Sequence, residues 1–140
     1  MIVLGILALI AGISMSAFSN VKNSQALDRD TDAIVATLRQ ARSQTLVSLN
    51  STNYGVHFAS SQFTLFAGGT YSANASGNQV FNMTGSDTIV TISLAGGGND
   101  IIFNRLSGET AQNGTITVSS SSAGRSRAVT IYKTGLIEFQ

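Results

Sequence analysis

IVLGILALIAGISMSAFSNVKNSQALDRDTDAIVATLRQARSQTLVSL (Ile2–Leu49) decides the fold. Its opening run, Ile2–Phe18, carries no charge. The remainder, Ser19–Leu49, contains neither Gly nor Pro, and its apolar positions fall at Leu27, Ile34, Leu38, Ala41, Thr45/Leu46 and Leu49. Those steps trace one face of a helix. Asp28, Arg29, Asp32, Arg39 and Arg42 lie between them, on the wet side. The chain has no Pro, so no Pro kink interrupts it. One continuous helix from about residue 2 to 50 is predicted, roughly 70 Å long. Its first third (1–20) is apolar all round and suits lipid or other helices. Its continuation (21–50) is amphipathic and suits a sheet. The uncharged run falls a little short of the roughly 20 residues that span a bilayer. It also lacks the basic start of a signal peptide.

Beyond residue 53 the period changes from helical to alternating. Strands are predicted at Tyr54–Phe58, Gln62–Phe66, Gln79–Met83, Thr88–Leu94, Ile101–Phe103, Thr115–Ser119, Ala128–Tyr132 and Leu136–Phe139. Turn residues separate them: Gly68-Gly69, Ser76-Gly77-Asn78, Gly96-Gly97-Gly98-Asn99-Asp100, Asn113-Gly114 and Lys133-Thr134-Gly135. The last of these makes a terminal hairpin. The expected fold class is α+β, a long N-terminal helix packed on an antiparallel β-sheet head formed by residues 51–140.

Composition narrows the chemistry. The 140 residues suffice for one small domain. Mean hydropathy is +0.21, yet residues after 50 are rich in Ser, Thr, Asn and Gly. Charged residues make up only 11%. This polarity without charge suits the cell envelope or exterior. A net charge of +1 steers no particular partner. With no Cys, disulfides and thiolate metal sites are excluded. Asp28-Arg29-Asp30-Thr31-Asp32 imitates a calcium loop, but Ala33 stands where Gly is needed and Arg39 where the bidentate Glu belongs. On a helix, Asp28 and Asp32 share a face and Asp30 points elsewhere. His57 is the only histidine, and no acid or nucleophile is tied to it by spacing. No nucleophile-elbow, zincin, Walker or dinucleotide signature occurs, so no enzymatic activity, metal or cofactor is expected.

The whole arrangement resembles the type IV pilin and pseudopilin superfamily. The segment LGILALIAG (4–12) resembles its helix start. Ile101-Ile102-Phe103-Asn104-Arg105 through Gly108, then GTITVS and GRSRAVTIYKTGLIEF (124–139), resembles the GspH/FimT-like minor pilins and pseudopilins. The basic leader, processing site and early Glu of that family have no counterpart here. The sequence is expected to begin inside the family's helix, and those roles are carried to no residue.

The resemblance implies a structural subunit of a type IV pilus-like or type II secretion-like filament. Its partners would be other pilin or pseudopilin subunits, the inner-membrane assembly machinery and, before assembly, membrane lipid. Its location would be the bacterial envelope, first as a single pass in the cytoplasmic membrane and then as a periplasmic or extracellular filament. Ile2, Leu4, Gly5, Leu7, Leu9, Ile10, Gly12, Ile13 and Phe18 would make the membrane or filament-core contacts, with Gly5 and Gly12 allowing close helix approach. In the FimT-like branch a G-R-x-R motif is associated with DNA uptake. Gly124-Arg125-Ser126-Arg127, read as part of a polar loop from Ser119 to Arg127, matches it. Arg125 and Arg127, with Lys133 in the next turn, would grip phosphates. A third reading is a secreted β-domain behind an N-terminal signal peptide.

Overall fold

A computed structural model describes residues 2–140, with side chains from residue 21 onward. Helix α1 spans Ile2–Leu46. The stripe read from the sequence is the face it buries: Leu27, Ile34, Leu38 and Ala41 are all 1% exposed or less. Thr45 takes the next position, fully buried. Its hydroxyl donates to the Ala41 carbonyl and accepts the Tyr54 amide, so a polar residue continues the apolar stripe without an unmet hydrogen bond.

The helix ends before the predicted residue 50. Ser48, Asn50 and Ser51 adopt left-handed φ of 51–55° around a short 3-10 turn at Leu49–Ser51. Asn tolerates this region better than most residues. The chain therefore turns without Gly or Pro, the punctuation that the sequence reading relied on. Leu49, assigned to the buried stripe, is exposed.

All eight predicted strands form: β1 (Tyr54–Ala59), β2 (Gln62–Ala67), β3 (Gln79–Asn82), β4 (Asp87–Leu94), β5 (Asp100–Phe103), β6 (Gly114–Ser120), β7 (Arg125–Ile131) and β8 (Ile137–Phe139). They make two antiparallel sheets, ordered β3-β2-β1-β5 and β4-β6-β7-β8. The helix packs on both. Val56, Phe58 and Phe103 of the first sheet and Ile116, Val118, Val129 and Ile131 of the second share one core with the helix stripe. A register shift between Ile89 and Thr91 breaks the β4–β6 ladder. The predicted terminal hairpin is present, with the Tyr132 amide bonded to the Leu136 carbonyl and Ile131 opposite Ile137.

Candidate functional site

The polar contacts that join α1 to the head fall at two places, around Asp28 and Asp30 and around Arg42, one toward each end of the head. At the lower end, Arg127 sits on the inward face of β7, in line with buried Val129 and Ile131. Its Nε and Nη2 both reach Asp28 Oδ1 at 2.9 Å. The 119–127 segment is therefore not the loop read from the sequence. β6 runs to Ser120 and β7 starts at Arg125, leaving a tight turn at 121–124 whose Gly124 has φ +61°. Arg125 is exposed beside it. Lys133 follows the opposite end of the same strand, roughly 20 Å from Arg127 at about 3.3 Å per residue. Arg125 and Arg127 stand two residues apart on one strand, Lys133 is not brought to them, and Arg127 already holds a carboxylate of its own chain. The Asp28–Arg127 pair is partly exposed, with side chains 49% and 31% accessible. Arg127→Ala is expected to cost no more than about 1 kcal/mol in urea unfolding.

Next to it, Asp30 points into the protein and is 7% exposed. The Thr84 amide donates to its Oδ2 at 2.6 Å and the Thr84 hydroxyl to its Oδ1 at 2.9 Å. Asp87, opposite Ser120 at the start of β4, is 3% exposed, and its Oδ2 has no hydrogen-bond partner among the described residues. Burial pushes the Asp87 pKa above its ordinary 3.8. The Ser120 hydroxyl pulls it down, and the charge and hydrogen bond of Asp30 push it up again. A raised carboxyl pKa favours the protonated folded state. Its stabilisation is complete below 3.8 and is lost as pH rises through the folded value. Asp87→Asn removes this titration and keeps a donor for Asp30. Chemical unfolding across the acid range is expected to show a flatter pH profile for the variant, and stability at pH 7 at least equal to the parent. A variant profile as steep as the parent's would refute this.

At the upper end, Arg42 leaves the helix to meet two turns. Its Nε donates to the Gly108 carbonyl at 3.2 Å and its Nη2 to the Thr134 carbonyl at 3.3 Å. Gly108 and Gly135 have φ of +65° and +79°. A Cβ on Gly135 would land on the Gly108 carbonyl oxygen. Gly108 and Gly135, two of the four glycines of the 101–139 pattern, thus mark the turns where Arg42 fastens the helix to the head.

A further cluster escaped the sequence reading. His57 Nδ1 lies 2.6 Å from Asp100 Oδ1, its register partner across β1 and β5. Tyr71 covers the imidazole, with ring centroids 3.9 Å apart and planes within 4°. Tyr71 also meets Phe66 edge-on. The segment after Gly68-Gly69 thereby folds over the outer face of the first sheet. The 43-residue separation of His57 and Asp100 gives no local signal, and only strand pairing reveals it. Among the described residues no group of three or more His, Asp or Glu side chains is placed to hold a metal.

The positions assigned to membrane or filament contact, Ile2 to Phe18, lie outside the described side chains. Among the described residues no helix is long and apolar enough to cross a membrane. No curated protein and no solved structure matches the chain. Residues 30–135 match the family described as Type II transport protein GspH. That match begins at the buried Asp30 of the helix and ends at Gly135, and so takes in both turns held by Arg42. By this match over most of its length, the chain belongs to the GspH family.

Proposed function

We propose that this chain is a structural pseudopilin of a type II secretion filament. The family match across helix and head supports this most directly. In this reading the apolar run Ile2–Phe18 holds the subunit in the cytoplasmic membrane and later joins the helices at the fibre axis. Among residues whose side chains are described, burial against the head begins only at Leu27. Residues 21–26, none of them buried, are thus left for other contacts. The DNA-uptake reading finds less support, because Arg127 is bound to Asp28 and Lys133 lies far from both arginines.

The test is fractionation and co-purification of the full chain from a bacterium with an intact secretion system. The chain is expected in the membrane, in complex with other pseudopilins, and Ile10→Arg is expected to remove it from both. A mature protein released without residues 2–18 would overturn the proposal in favour of a secreted β-domain.

A further inference from the structure

The upper end of the head combines exposure, strain and unbalanced charge. Leu46, Leu106 and Leu136 are 38%, 67% and 52% exposed. They converge around the Arg42 clamp. Leu46 lies at the Gly108 turn and lines, with Leu136, a cleft of about 250 Å³ that also contains Arg39 and Arg42. The Leu106 amide bonds to the Thr45 carbonyl. Leu106 is held at φ +68°, a conformation unfavourable for a branched side chain. The backbone bond to Thr45 fixes the turn, and the leucine side chain it carries points into water.

Four cations surround these leucines. Arg39 lines the cleft, and Arg42 bonds only to carbonyls. The Arg105 guanidinium reaches only the Ser51 carbonyl. Lys133 adjoins the same loop, its carbonyl accepting the Thr110 amide. Among the described residues none of the four has a carboxylate partner. The acids nearby are Glu109 in the 104–110 loop and Glu138, which accepts the Tyr132 hydroxyl beside Leu136. Four cations and two acids leave a local charge of +2, against +1 for the whole chain. The centre is aliphatic, and the exposed aromatic beside it, Tyr132, pairs with Leu136 across the hairpin and has its hydroxyl bonded to Glu138. Three leucines at the centre suit an apolar protein segment better than a phosphate backbone.

We infer that the surface around Leu46, Leu106 and Leu136 docks an acidic, apolar-rich segment of a neighbouring subunit. Leucines would fill the centre of the contact and Arg39, Arg105 and Lys133 its rim, the layout of a protein interface. The inference rests on the filament reading above and adds which face of the head the neighbour covers.

A photo-cross-linking residue in place of Leu106, in the full chain and in cells with an intact secretion system, tests it. One main adduct with another subunit is expected, mapping to an acidic and apolar segment. Arg39→Glu, Arg105→Glu and Lys133→Glu together are expected to reduce it at least tenfold while chain abundance is unchanged. The same probe at Val90, exposed on β4, is expected to give no such adduct. An adduct insensitive to charge reversal, or one with nucleic acid or lipid, overturns the inference. So does the absence of any adduct from a chain that still co-purifies with pseudopilins. If the parent chain does not co-purify with them at all, the filament reading itself fails.

Discussion

Gly135→Ala is expected to destabilise the head by on the order of 2–5 kcal/mol, measured by urea or thermal unfolding of the full chain. Two penalties combine. The left-handed φ of +79° costs an L-residue roughly 1–2 kcal/mol. The added methyl lands on the Gly108 carbonyl oxygen and beside Arg42 Nε, and overpacking of this kind adds roughly 1–3 kcal/mol. Relieving the clash means parting the two turns, which also strips Arg42 of its acceptors. Gly124→Ala separates the two effects. Gly124 has φ +61° but open space where its Cβ would go, so a loss of only about 1–2 kcal/mol is expected. Equal losses for the two variants would show that the clamp contributes nothing.

Leu38→Ala is the second large effect, expected at about 2–5 kcal/mol. Leu38 is fully buried in the core that α1 shares with both sheets. Truncating it opens a void that no single sheet can close by moving, since the helix is also fixed by polar contacts on either side of Leu38, at Asp28 and Asp30 and at Arg42. Leu49→Ala is the matched control. Leu49 is 42% exposed, and its removal is expected to stay within about 0.5 kcal/mol. A small loss at Leu38 would mean that the helix is held by its polar contacts and not by its stripe.

These residues mark what could be read in the sequence. Leu38 was legible, because a stripe at helical spacing is a local pattern. The eight strands were legible for the same reason: β-branched alternation between glycine-containing turns needs no distant partner to be seen. The end of the helix was not, because Ser48, Asn50 and Ser51 turn the chain by a conformation that their identities permit but do not announce. Asp30 was placed off the Asp28–Asp32 face, but its burial depends on Thr84, 54 residues away. The setting of Arg127 was hidden for a related reason. A Gly-Arg-Ser-Arg string beside a serine run reads as part of a polar loop until its strand register turns Arg127 inward onto Asp28. The importance of Gly135 was visible only as a family pattern, and its cause, the approach to Gly108 and Arg42, exists only in three dimensions.

The fastening of the helix also sets the order of folding. Asp28 and Arg127 are 99 residues apart in sequence, and Arg42 and Thr134 are 92 apart. A helix forms on the microsecond scale, whereas sheets built from distant pairings take milliseconds or longer. For that interval the stripe of Leu27, Ile34, Leu38 and Ala41 has only part of its cover. The β1–β2 hairpin follows the helix directly and can pack on it early, but the second sheet needs β7 and β8, the last strands in the chain order. A newly made subunit is therefore expected to present a half-covered amphipathic helix until its C-terminal strands are in place.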